Sequence, residues 1–193
     1  MTFPVSSYWR TPLLMLLIAG GMAFAFSGLR LALWQALLPL FGWMESSLFG
    51  VIGTTWGAAF ALVEAFHLLG MAALGAAVIL SDARLLGLAF PELPVAQVWR
   101  QTQRLFVPAL ALVIATGVFM ACSVAMKIYY LEVFWYKMLA LAVGVLFVFC
   151  IKGPVVSRED SPPGPGLSRL LAIASLMVWF SVAATGRWIG FSG

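Results

Sequence analysis

The chain has 193 residues, of which 63% are hydrophobic and only 9% charged, with a mean hydropathy of +1.05. Soluble domains are nearer ~45–50% apolar and ~25% charged, so a chain this poor in charge cannot coat a globule with polar surface, and a soluble enzyme is excluded. Disorder is excluded too, because it needs low hydrophobicity and high net charge. The formal net charge is +4. Its basic residues stand at the ends of apolar runs, where they mark topology and touch lipid headgroups. The excess therefore points to the bilayer and not to nucleic acid.

Crossing a ~30 Å hydrocarbon core takes about 20 predominantly apolar residues. Runs that meet this length are found at residues 13–33, 54–80, 105–126, 133–151 and 167–189. They are continuously apolar and do not alternate with period two, so they predict helices and not a barrel. The expected fold is all-α, a polytopic transmembrane bundle of about five spans with a four-helix core, forming one membrane domain over residues 1–193.

The first run opens after Arg10 and Pro12 and carries Ala23-Phe24-Ala25, the form of a signal peptide with a small-residue cleavage site. Its apolar character continues past Ala25, which favours an uncleaved anchor. Residues 34–47, with Pro39, Gly42, Trp43 and Glu45, read as a segment lying along the headgroups. Residues 152–166 hold Gly153-Pro154 and Ser161-Pro-Pro-Gly-Pro-Gly166, the pattern of a flexible loop.

With five spans, one face collects Arg10, Arg84, Arg100, Arg104, Lys152, Arg158 and Arg169, and the other Arg30, Lys127, Lys137 and Arg187. The positive-inside rule then predicts a cytoplasmic N-terminus and an external C-terminus.

Ionisable groups within a span are costly and are functional candidates by default. The second run contains Glu64-Ala-Phe-His67-Leu-Leu-Gly70, and His67 is the only histidine of the chain. Glu64 stands three residues earlier, on the same helix face. Gly70 and Gly75 leave that face low enough for a flat ligand or another helix. Three functional readings are open. His67 ligates a haem iron, its ring oriented by Glu64; the pair relays a proton at a quinone or ion site; or it holds copper, with Met71 as a soft ligand. A fourth reading has the two residues bonding each other, or a neighbouring helix, and fixing packing. A single histidine excludes bis-histidine haem ligation within one chain.

Asp82-Ala-Arg84-Leu-Leu-Gly87 follows where the second run meets the interface. Asp82 lies about 22 Å along a helix from His67, so the two share no site. This segment reads either as an interfacial Asp82–Arg84 pair that stops the helix or as a headgroup or partner contact. Towards the opposite face, Lys137 and Arg187 sit just inside their spans beside Trp135 and Trp188. They are candidates to pair with porphyrin propionates or with Glu64, or simply to snorkel to the interface. Cys122 and Cys150 fall near opposite ends of antiparallel spans, too far apart for a disulfide. No CxxC, Walker loop, GxGxxG, GxSxG or HExxH is present.

Several segments together, Val63-Glu64-Ala-Phe-His67-Leu-Leu-Gly70, Asp82-Ala-Arg84-Leu-Leu-Gly87, Thr116-Gly117, Phe134-Trp-Tyr-Lys137 and Gly186-Arg187-Trp188, resemble in order and spacing a family of small bacterial integral membrane proteins of unknown function. The resemblance runs from about Phe41 to the C-terminus. It implies a four-helix core in a bacterial inner membrane, with the first span an added N-terminal helix. A looser likeness is to the copper-resistance D proteins and to the bacterial membrane-bound protoporphyrinogen oxidase, a haem protein with a mid-span His followed by Gly and Arg-Leu. This chain departs from that pattern in its single histidine and in lacking a Trp after it, so cofactor chemistry carries over as fold analogy alone.

The favoured expectation is b-type haem. His67 is its axial ligand, Glu64 the orienting or proton-accepting partner, and Arg187 and Lys137 the propionate partners. Such a protein would serve electron transfer or a membrane redox assembly, with a redox partner or a second copy of the chain beside it. Copper handling through His67, Glu64 and Met71, or a cofactor-free accessory role, are the alternatives.

Overall fold

The computed structural model describes residue 19 and residues 27–192, so most of the expected first span, and the Ala23-Phe24-Ala25 segment, lie outside the described residues. Helix α1 covers Leu29–Ser46, α2 Leu48–Thr55, α3 Gly57–Leu85 and α4 Val95–Ser123; a short α5 covers Ala125–Tyr129. Helix α6 covers Glu132–Val156 and is widened by a π turn at Phe147–Lys152. Helix α7 covers Pro165–Ile189. No strand occurs among the described residues.

Helices α3, α4, α6 and α7 are each long and apolar enough to cross a membrane, and α1 with α2 makes a fifth such element if counted as one broken span. The protein is therefore an all-α, membrane-spanning bundle. The chain divides into two compact units, Met1–Trp43 and Met44–Gly193, and the second holds the four long helices. The stretch 34–47, expected to lie along the headgroups, is helical up to Ser46.

In the second unit α3 packs most extensively on α4, and α7 lies against both α6 and α3. The buried residues of α3, from His67 through Gly70, Leu74, Ala77, Val78, Ser81 and Asp82 to Leu85, recur at three- and four-residue steps and so form one stripe. The core joins Leu74, Ala77 and Val78 to Phe106, Ala109 and Leu110 of α4 and to Leu171, Ala172 and Trp179 of α7. Many of the buried positions are small, while Leu62, Phe66, Leu69, Ile79, Leu139 and Phe180 face outward. That distribution suits lipid. Tails are as apolar as leucine, so helices gain little from hiding large apolar groups and gain more from close van der Waals approach.

Helix boundaries differ from the apolar runs where polar residues continue the helix past the hydrocarbon. Helix α4 begins at Val95, after Pro94, and carries Gln97, Arg100, Gln101, Gln103 and Arg104 before the run proper. Helix α3 continues to Leu85 and ends on Gly87. There the Leu88 N–H donates to the Ala83 carbonyl at 2.8 Å and the Gly87 N–H to that of Arg84 at 3.1 Å. This C-cap needs a left-handed residue, and Gly87 supplies it with φ of +76°.

The expected loop at 152–166 is shorter at its N-terminal end. Lys152 closes the π turn, Gly153–Val156 remain helical, and α7 starts at Pro165. Gly153-Pro154 does not break α6: the π turn runs directly into Gly153–Val156, and Pro154 falls in the last turn of the helix. Both cysteines are free, Cys122 buried and Cys150 exposed.

Candidate functional site

Two polar clusters lie within the helices, at opposite ends of the bundle. The first is built around His67. Its ring is 7% exposed, and its Nδ1 lies 2.8 Å from Thr116 Oγ1 on α4. The Thr116 hydroxyl has one hydrogen, and its shortest bond, 2.6 Å, runs to the Leu112 carbonyl one turn back. The hydroxyl oxygen is thereby left to accept, which assigns the imidazole hydrogen to Nδ1 and the free lone pair to Nε2. No side chain among the described residues bonds Nε2.

The next residue on α4, Gly117, makes room for the ring. A Cβ there would stand 3.3 Å from His67 Cε1, tighter than most carbon contacts. Thr116-Gly117 is thus a seat for the imidazole, one residue holding its nitrogen and the other admitting its edge.

Lys137 of α6 is the charged residue that acts electrostatically on His67. Its stem lies over Gly186 of α7, where a Cβ would meet the Lys137 Cε at 3.4 Å and its Nζ at 3.5 Å. No described residue forms an ion pair or hydrogen bond with that ammonium. Glu64 is exposed on α3 and makes no bond to His67. The orienting role expected of it falls instead to Thr116, because α4 packs on the histidine stripe and Glu64 lies outside that stripe. Arg187 is exposed, its guanidinium carbon 4.6 Å from the centre of the Phe191 ring. Of the four expected residues, the structure thus gathers His67 and Lys137 and leaves Glu64 and Arg187 at the periphery.

The second cluster was not legible as such. Asp82 is 0% exposed and Lys152 1%, and Lys152 Nζ donates to Asp82 Oδ1 at 2.5 Å. The ammonium also reaches Ser175 Oγ of α7 at 3.4 Å and stands 5.4 Å from the centre of the Trp99 ring. Its donors are therefore directed to a carboxylate, a hydroxyl and an aromatic face. The Asp82 Oδ2 atom has no bonded partner among the described residues.

The π turn brings this lysine inward. Val148, Lys152 and Val156 follow one another at four-residue steps and are all buried. Gly153 lets Trp99 approach, since a Cβ there would come within 3.2 Å of that ring.

Asp82 and Arg84 consequently do not pair. Asp82 turns into the bundle, while Arg84 Nε donates to the Leu93 carbonyl at 2.8 Å and its Nη2 to that of Pro91 at 3.4 Å, bracing the α3–α4 connection. The segment Asp82-Ala-Arg84-Leu-Leu-Gly87 therefore combines an inward ion, a loop brace and a helix cap.

A family model described as a family of unknown function (DUF6644) matches residues 40–192, and the chain belongs to that family. No curated protein and no solved structure matches it.

Proposed function

We propose that this integral membrane protein binds a b-type haem, with His67 as the axial ligand through Nε2, and serves as an electron-transfer protein or a subunit of a membrane redox assembly. The observation that carries the reading is the bond from His67 Nδ1 to Thr116 Oγ1. Metal-ligating histidines commonly donate their second ring nitrogen to an oriented acceptor, which fixes the tautomer and raises the basicity of the ligating nitrogen. Here the acceptor is in place, and no described side chain bonds the ligating nitrogen.

The donor set fits a macrocycle better than a bare ion. A porphyrin supplies four nitrogens and asks the protein for one or two axial ligands, and this site offers one imidazole. Glu64 is exposed and lies outside the buried stripe that carries His67, which disfavours the copper alternative built on His67, Glu64 and Met71. When bound, the haem would supply one-electron chemistry. The protein's own residues fix the imidazole through Thr116, admit it through Gly117, and offer the Lys137 ammonium as a cation for a propionate. Arg187, exposed and directed to Phe191, is the weaker propionate candidate.

The placement we favour is a bacterial inner membrane with the N-terminus in the cytoplasm. Lys152 is buried in an ion pair and drops out of the loop charges, so the tally of seven against four becomes six against four, and the sign of the bias holds. A C-terminal reporter active only outside the cytoplasm checks this directly.

The cofactor is tested by purifying the protein in mild detergent from haem-replete cells and recording visible spectra before and after dithionite. The expected result is a Soret band with an α-band that sharpens on reduction, both absent from His67→Ala. A flat spectrum from folded wild-type protein would overturn the reading and leave the accessory role.

A further inference from the structure

At the end of the bundle where α3 passes to α4, two hollows flank the same stretch of chain. One, of about 410 Å³, is bordered by Arg84, Arg100 and Arg158, with Glu159, Pro94 and Pro162. The other, of about 170 Å³, is apolar, walled by Leu80, Phe90, Leu93, Val98 and Leu105. Residues 93–98 divide them. Leu93 and Val98 face the apolar hollow, while Pro94 to Gln97 line the basic one.

The basic hollow carries three guanidinium groups against one carboxylate. Arg100 pairs with Glu159. Arg84 donates to the neutral carbonyls of Leu93 and Pro91 and has no ion-pair partner among the described residues. Arg158 is exposed. Two positive charges are therefore left over in a concave surface at the edge of the membrane-spanning helices. The first turn of α4, which no side chain caps, adds the positive end of its dipole to the same space.

The apolar hollow has its own signature. Phe90, one of its walls, has φ of +52°, the only positive φ at a non-glycine among the described residues. An aromatic side chain held in that conformation is strained, because its Cβ crowds the following carbonyl oxygen. Such strain persists where the surroundings over-determine it, and it clusters at ligand sites. Here it places an aromatic ring on the wall of the hollow, next to a cluster of uncompensated arginines.

We propose that this end of the bundle binds an anionic phospholipid, its phosphate-bearing headgroup against Arg84, Arg100 and Arg158 and an acyl chain along Phe90, Leu93 and Leu105. A free phosphate would use the basic hollow alone. The adjoining apolar hollow, separated from it by a single stretch of backbone, is the reason for choosing the lipid.

The test is native mass spectrometry of the detergent-solubilised protein, titrated with phosphatidylglycerol or phosphatidylcholine. Phosphatidylglycerol is expected to bind at least tenfold more tightly. Arg158→Gln, at an exposed position with no packing role, should weaken phosphatidylglycerol about fivefold, the effect of one surface cation on an anionic lipid. Phe90→Asn, which tolerates the left-handed backbone but removes the apolar wall, should weaken it severalfold as well. Millimolar inorganic phosphate should leave the lipid in place. Equal binding of the two lipids, or no effect of Arg158→Gln, would overturn the proposal. Displacement by inorganic phosphate, or indifference to Phe90→Asn, would show a free-anion site and overturn the choice of lipid.

Discussion

The Asp82–Lys152 and His67–Thr116 clusters, one at each end of the same four helices, differ in how they treat charge. At the first, an ammonium is surrounded by a carboxylate, a hydroxyl and an indole face, and both charged residues are almost wholly buried. At the second, one imidazole nitrogen is held by Thr116, no described side chain bonds the other, and a lysine nearby has no counter-ion among the described residues. A closed cluster of that kind joins helices. The open one has the means to hold something else. The same cost of burying a polar group in an apolar medium applies to both; at the ion pair it leaves one carboxylate oxygen, Asp82 Oδ2, over, and at the histidine it leaves a whole ammonium, that of Lys137, without a counter-ion among the described residues.

The largest effect is expected at the ion pair. Lys152→Met or Asp82→Leu alone leaves the other charge buried and unpaired, and should cost about 3–5 kcal/mol, read as a lower thermal unfolding midpoint in detergent. The double substitution removes both charges and should recover most of that loss. A single variant as stable as wild type would show that the pair joins nothing.

Next in size is Thr116→Val. It keeps the shape of the seat but removes the acceptor of the His67 Nδ1 hydrogen. Loss of such a second contact typically lowers metal affinity about 10–100-fold, whereas the fold should lose only about 1 kcal/mol. Haem titration followed at the Soret band, with a melt alongside, separates the two effects.

Gly87→Ala comes below it. Its backbone is left-handed, so a Cβ there should cost on the order of 1 kcal/mol, visible in the melt with no change in ligand affinity. Smallest is Glu64→Gln. An exposed side chain outside the packed stripe should shift stability by less than about 0.5 kcal/mol and leave the haem spectrum unchanged. A lost or displaced spectrum in that variant would return Glu64 to the site.

Much of this architecture was legible in the chain. Continuous apolar runs announced α3, α4, α6 and α7, because lipid requires each span to satisfy its own backbone. His67 stood out for the same reason, as a costly group within a span. What the one-dimensional pattern could not carry is which face of each helix meets which neighbour. Glu64 and His67 are three residues apart and share a side by spacing, yet only His67 falls on the stripe that α4 covers. Its true partner, Thr116, lies 49 residues away, and the one trace of it was the Thr116-Gly117 pair among the ordered motifs.

Lys152 was hidden differently. The Gly153-Pro154 that follows it reads as the start of a loop, and only the π turn, which no local propensity announces, rotates it inward to Asp82. Asp82 in turn has Arg84 two residues on, a tempting partner in sequence. In a helix, however, residues two apart do not face each other, and the structure sends them to different sides.

We propose that the His67 cluster holds a cofactor and the Asp82–Lys152 cluster holds the helices together. It is tested most directly by haem content per chain in wild type, His67→Ala and the Asp82→Leu/Lys152→Met double variant, all purified from the same haem-replete cells. One haem per chain is expected in wild type and in the double variant, and none in His67→Ala. Equal haem in all three, or its loss from the double variant with His67→Ala unaffected, would contradict it.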